Sequence, residues 1–547
     1  RGAGRYTSDL WLSNIDALNA IQVVLTLTPA GQSNTSAGVR QFAFSLGAGE
    51  TRRFRNVIGT IFGYEGGCSL DVSSPSPTLS ATALVNNKPV VPLVAGKTAA
   101  LGTAVAGTLL STAEFGFEMR PVAPGEGASQ KDPEHVVSGL WHDARRRTNL
   151  ILRETTGNET VVRVELFDGD GQPVLREGVP VDLEVTVPAH GSRQLNDDDL
   201  FPDEEFPEAL RAKVTFLRGA IDPFGQTHGG VVPLATVIDS GTQDAALRVG
   251  VSEKALSPVV PGGAPASRAL AASALPFKGG PENLYFPAAH VTGAALASGR
   301  TPRWRTRVTF SNVSETEDRD LLLRFVDESG NLPVGTPVTA TVFVPAGRSF
   351  TFNDVLESRF LIPSGTNVWG TVAVDAIWRE NGSGWDVTWA DVDVQTETYT
   401  ADTESPSTGE YRTGMEGYSY RHGYSSFQSN LGTVLIDGAE ISARNRTNLI
   451  LQEVGGASCK VAVGVYRPGA LVPLAVRIID LEASEYLSRE LFRDLMQLDL
   501  DEIVDARVVV RQLDGDGVFM AFVSKINLVT GDPANVFLRP ASAGTGR

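Results

Sequence analysis

The sequence is poor in sulfur: 547 residues carry two cysteines and four methionines. Two cysteines cannot build a disulfide framework, so the fold must rest on burial and hydrogen bonding. Basic charge is also short. Lys and Arg total 47 against 64 Asp and Glu, for a net charge of -17. A nucleic-acid binder carries a basic face and a membrane-surface anchor a polybasic run, and this composition argues against both. Long apolar runs are missing too. The blandest stretch, Ala99 to Leu110, is interrupted by Gly102 and Gly107 and is too short for a membrane helix. Membrane insertion is therefore not expected.

Catalytic signatures are scarce. Asp239-Ser-Gly-Thr242 spells an aspartic-protease signature, but that chemistry needs two carboxylates sharing a proton, and only one copy is present. A hairpin turn is the better reading. Gly96-Lys-Thr98 lacks the glycine that opens a phosphate loop, because residue 91 is Val. His135, His142, His190, His228, His290 and His422 show no metal-binding spacing, and no Ser sits in a G-x-S-x-G elbow. No catalytic residue, no enzyme and no metal site is expected. Calcium is the one cofactor to weigh, at Asp168-Gly-Asp170, at Asp197-Asp-Asp199 with Asp203-Glu-Glu205, and at Asp514-Gly-Asp516. None completes a loop offering the roughly six to eight oxygens calcium takes, so turns and helix starts are preferred.

What the chain does have is apolar residues, 42%, with Gly (56) and Pro (31) spaced between them. At about 100–200 residues per domain the length calls for several domains. It also repeats itself. Arg147-Thr-Asn-Leu-Ile-Leu-Arg-Glu154 returns as Arg446-Thr-Asn-Leu-Ile-Leu-Gln-Glu453, and Ser8-Asp-Leu-Trp-Leu-Ser-Asn14 returns loosely as Thr306-Arg-Val-Thr-Phe-Ser-Asn312. The two offsets are nearly equal, so the chain reads as a duplicated pair. Four alternating segments follow these openers: Ile21, Val23, Leu25, Leu27; Val162, Val164, Leu166; Leu321, Leu323, Phe325; and Val461, Val463, Val465. Period-two alternation marks strands with one buried face. Tight turns follow three of them directly, at Pro29-Ala-Gly31, Asp168-Gly-Asp-Gly171 and Asp327-Glu-Ser-Gly330. Asn56, Asn196 and Asn353 read as caps of single helical turns. Leu481 to Leu500 is charged, lacks Gly and Pro, and reads as a helix, whereas Asp402 to Gly417 reads as a long loop.

Short strands between frequent turns predict an all-β chain of four antiparallel β-sandwiches, with a short helical insertion in the last. The boundaries are 1–130, 131–252, a Pro/Ala/Gly linker 253–283, 284–425 and 426–547. Arg147 to Leu152, Val162 to Gly171, Val187 to Asp197 and Gly531 to Val536 carry a pattern that resembles the tandem immunoglobulin-like modules of many secreted bacterial proteins. The resemblance implies an exported, non-catalytic protein with a structural or adhesive role. It supplies no catalytic residues.

Two functional expectations follow. The first is a structural rod that associates with copies of itself, head to tail, into a fibre or surface layer. Arg5, Tyr6 and Leu10 would meet Val536, Phe537 and Leu538 of the next copy, and Cys68 and Cys459 would bridge copies. The segment Tyr285 to Val291 precedes the third module's opening strand and has no counterpart before Tyr6, which would leave a sheet edge open in the first module. The second expectation is an adhesive protein that binds surface glycans. Trp378 and Trp385 flank a predicted hairpin turn, with Tyr418 and Tyr420 beyond, and such rings form sugar platforms. Trp369 and Trp389 read as core.

Overall fold

The computed structural model describes residues 4–540 apart from 17, 77, 90–114, 120–126, 202–205, 222–226, 241, 243, 253–283, 296–300, 378–391, 402–409, 420–432 and 529–530. The described chain is mostly antiparallel β-sheet. Alternation is the cause. Ile21, Val23, Leu25 and Leu27 are at most 5% exposed, while Gln22 between them faces solvent. The three other alternating sets are buried in the same way.

Four sets of four strands share one order, the third being part of a nine-stranded sheet that also holds its companion. The first runs Thr51–Phe54, Gly4–Asn14, Leu79–Pro89, Phe115–Met119. The second runs Ser192–Leu195, Arg146–Glu154, Val231–Asp239, Ala245–Val249. The third runs Ser349–Phe352, Arg303–Asn312, Val392–Ala401, Glu410–Glu416. The fourth runs Tyr486–Glu490, Asn445–Glu453, Phe519–Asn527, Pro533–Phe537. Each shares a core with a companion sheet built on an alternating strand: Leu10 and Leu12 with Val23 and Leu25, or Leu449 and Leu451 with Val461 and Val463. In the second, third and fourth pairs the companion has a strand just upstream of the opener: Glu134–His142, Leu284–Thr292 and Thr433–Ile441. The first companion is Arg40–Leu46, Ile21–Pro29, Cys68–Ser73, and among the described residues no such strand lies beside Cys68–Ser73.

The turns singled out in the sequence join one sheet pair to the next. Gly31 N–H donates to Ser192 O (2.8 Å), and Ser349 N–H donates to Gly169 O (2.9 Å). Glu328 accepts from Ser488 N–H (2.9 Å). In the fourth pair the turn residue Leu471 lies against Gly49 of the first, where an added Cβ would sit 2.3 Å from Leu471 Cδ2. The four final strands neighbour one another in the same cyclic order. The chain thus closes on itself. An extended rod with its ends apart does not describe it.

Three local expectations need correction. Glu410–Glu416 is a strand hydrogen-bonded to Val392–Ala401, not loop, because its Arg412, Thr413 and Met415 are buried where the sheet pairs meet. The segment 481–500 forms no regular α-helix. Tyr486–Glu490 pairs with Asn445–Glu453, and only Leu491–Leu495 makes a π turn, with Glu490 accepting from three of its N–H groups. Helix Val355–Phe360 is capped by Asp354 rather than Asn353.

Two turn glycines test the docking. Gly171 and Gly330 both have positive φ, 76° and 70°. A Cβ on Gly171 would lie 2.5 Å from Gly347 O, whereas one on Gly330 meets nothing. Gly330→Ala should cost about 1 kcal/mol for the dihedral alone. Gly171→Ala should cost about 2–3 kcal/mol because backbone must also move. Urea midpoints of the two variants read the difference, and equal losses would mean that the turn is not pressed against its neighbour.

Candidate functional sites at the seams

The second and third sheet pairs meet over buried charge. Glu397 is fully buried, and three guanidinium groups converge on it. Arg248 donates to Oε1, Arg307 Nη1 lies 2.6 Å from Oε2, and Arg412 Nη1 lies 3.8 Å from Oε1. All three arginines are at most 2% exposed. Burial alone would raise the Glu397 pKa, but Arg248, Arg412 and Arg307 outweigh it and hold the carboxyl well below its ordinary range. The Trp141 ring takes the cations on its face, with Arg146 at 3.8 Å and Arg307 at 5.2 Å from its centroid. Gly414 makes room, since a Cβ there would lie 2.5 Å from Arg248 Nη1.

The same centre draws in the other two pairs. Asp244 accepts the backbone N–H of Arg412. Tyr6 lies within electrostatic reach of Asp244 and Arg412. Burial, and then the charge of Asp244, raise the Asp532 carboxyl far above its usual range. Burial likewise raises Asp244 and Asp393 to about 7. Nothing in the sequence marks these groups, because a charged residue on a strand reads as its solvent face.

The residues expected to join copies are largely committed inside one chain. Leu10 is buried in the first core, and Val536 and Leu538 in the fourth. Phe537 is partly buried, Tyr6 is 40% exposed, and Arg5 lies on strand Gly4–Asn14. The head-to-tail contact exists, but within the chain. Trp11 packs in the fourth core with Val536, and its Nε1 donates to Asp505 (3.0 Å), which also pairs with Arg53 (2.8 Å). Cys459 is buried in the fourth core and Cys68 is half-buried in the first, both as free thiols. Burial raises them to about 12 and about 11, so neither is a thiolate near neutral pH.

Of the expected glycan platform, Tyr418 alone is among the described residues. Tyr418 is fully buried in the apolar seam between the third and fourth pairs, near Tyr285 and Phe522. Trp378, Trp385, Trp389 and Tyr420 lie outside the described residues, as does Asp203-Glu-Glu205. The acidic clusters serve the backbone: Asp168 accepts from Gln172 N–H, Asp197 from Thr148 N–H and Asp514 from Gly515 N–H. Among the described residues His290, Asp354 and Glu357 bring three ligand atoms together. Asp354, however, already serves Arg305, His290 and its helix.

A cavity of about 360 Å³ opens on this third-to-fourth seam. Trp304, Trp369, Tyr486 and Phe522 supply aromatic wall, so Trp369 faces a cavity rather than a closed core. Strand Asn445–Glu453 supplies Arg446 and Asn448 from the repeated octapeptide, and Glu490 stands beside Asn448 on the neighbouring strand of the same sheet. Arg446 Nε and Asn448 Oδ1 are buried, and neither has a hydrogen-bond partner. In the other copy of the octapeptide, Asn149 Oδ1 accepts from Asp197 N–H (3.3 Å). The sequence shows the repeat but not that one copy is left unsatisfied.

No family model and no curated protein matches the chain.

Two outcomes test the central cluster. Glu397→Ala strands three buried guanidinium groups and should cost about 3–5 kcal/mol by denaturant unfolding; a loss under 1 kcal/mol would mean that water reaches them. Asp393 has its pKa raised to about 7, so its folded form holds a proton that the unfolded chain releases near 4. Its contribution is complete below pH 4 and is lost as pH rises to about 7. The melting temperature should therefore rise from pH 8 to pH 5.5, and less steeply in Asp393→Asn. An unchanged slope in that variant would place the titration elsewhere.

Proposed function

We propose that the chain is a non-catalytic structural protein, exported to a bacterial surface or beyond it, built from four immunoglobulin-like β-sandwich modules in a duplicated pair. The observation that carries this reading is the ring of four strand sets with one order, closed around buried charge. Cyclic closure ties each module to two neighbours rather than one. Such bracing is what a spacer or scaffold needs, and the acidic surface keeps such a block soluble. The head and tail strands support one another within the chain, so this reading replaces the rod with a closed unit. Any contact between copies then uses other surfaces, and the edge of Cys68–Ser73 is the first place to look.

A second reading, a glycan-binding surface protein, is favoured by the seam cavity. Light scattering on a sizing column, with and without reductant, followed by negative-stain imaging, tests the first. A compact monomer indifferent to reductant is expected. A ladder of multiples or fibres that reductant dissolves would overturn the closed block and restore bridging through Cys68 and Cys459.

A further inference from the structure

We propose that the cavity between the third and fourth sheet pairs is a binding site for a neutral sugar ring, a mono- or disaccharide unit of a glycan. The inference deepens the glycan-binding reading above and stands apart from the structural role.

The argument starts from the two unpartnered atoms. Arg446 and Asn448 are two residues apart on one strand, so they share a face. Arg446 Nε is a donor and Asn448 Oδ1 an acceptor, both buried and both without a partner. Leaving such groups unpaired costs free energy that a ligand can recover. A carboxylate or phosphate would suit Arg446 and be refused by Asn448 Oδ1 and by Glu490. Asp494 adds a second carboxylate to the wall beside Glu490, so an anion meets two like charges, while an ammonium would suit Asn448 and both carboxylates and be refused by Arg446. A hydroxyl suits Arg446 and Asn448 alike, because it accepts from one and donates to the other. Glu490 uses its oxygens to hold the π turn and keeps lone pairs for a second hydroxyl.

The walls agree with that choice. Trp304 and Trp369 stand on the third pair and Tyr486 and Phe522 on the fourth, so aromatic surface faces the cavity from both sides. The C–H faces of a sugar ring pack on such surface while its hydroxyls reach the polar groups. The ring tips are already fixed: Trp304 Nε1 donates to Gly531 O (3.0 Å). The volume lies at the small end of ligand pockets, which favours one or two rings over a long chain.

The test titrates the intact protein with methyl glycosides of glucose, galactose, mannose and N-acetylglucosamine, and with cellobiose and chitobiose. Tryptophan fluorescence and saturation-transfer NMR are the readouts, with acetate and choline as charged probes. At least one sugar should bind, and Asn448→Leu should weaken it about tenfold, the loss of one hydrogen bond. Arg446→Met should do the same, while Asn448→Asp, which keeps the acceptor, should retain binding. Melting curves check that each variant folds. The proposal is overturned if no sugar binds, if acetate or choline binds instead, or if Asn448→Leu and Arg446→Met both leave binding unchanged. It is equally overturned if a Trp378→Ala, Trp385→Ala double variant abolishes binding that Asn448→Leu leaves intact.

Discussion

The Glu397 carboxylate and the guanidinium groups around it set the terms for the whole chain. Each member comes from a different strand, and the second and third sheet pairs cannot slide without separating opposite charges in a dry interior. Such a cluster is a poor source of net stability, because desolvating the ions offsets most of their attraction. A well-packed apolar seam would hold as firmly. Charge contributes selection instead: only one alignment of Arg248, Arg307 and Arg412 satisfies Glu397, so a shifted register leaves ions unpaired.

Ring closure follows from that constraint. With the second and third pairs fixed, the same turn-to-strand docking repeats around the cycle and brings the fourth pair against the first. There the chemistry changes. Trp11 fills the fourth core, and Arg53 and Asp505 pair beside it. Between the third and fourth pairs it changes again, to an apolar cluster of Tyr285, Tyr418, Tyr486 and Phe522. Seams that share a backbone geometry but differ in side chains cannot exchange partners, and this protects repeated modules from joining in the wrong order.

Much of this was legible in the sequence, for a physical reason. Alternation with period two records burial directly, so the cores at Val23, Val164, Leu323 and Val463 could be read residue by residue. Turn chemistry was equally plain, and the turns at Gly31, Gly171 and Gly330 stand where they were expected. Long-range relations were not legible. The strand Glu410–Glu416 looked like loop because, beyond its ladder with Val392–Ala401, it packs on the end strand of another sheet pair and a buried aspartate, which leave no periodic trace. The segment 481–500 read as helix because it lacks breakers, yet Tyr486, Leu491 and Phe492 are buried at spacings that suit a strand and one wide turn. The first and fourth pairs do meet, but through Trp11 rather than through Arg5, Tyr6 and Leu10, and within one chain. The contact was assigned to two copies because nothing in a linear sequence says that its ends are near.

The octapeptide repeat carries the same lesson to the cavity. Two identical asparagines, Asn149 and Asn448, occupy equivalent places on equivalent strands. One accepts an N–H from the helical turn at Asp197, and there the side chain is structural. In the fourth pair that turn is replaced by the π turn Leu491–Leu495, whose N–H groups are taken by Glu490. Asn448 thereby loses its internal partner while Trp304 and Trp369 open a cavity before it. Of the two octapeptide asparagines, Asn448 is the one whose side-chain carbonyl oxygen has no internal partner, and it stands beside aromatic walls on a paired strand, where the proposed sugar would meet it.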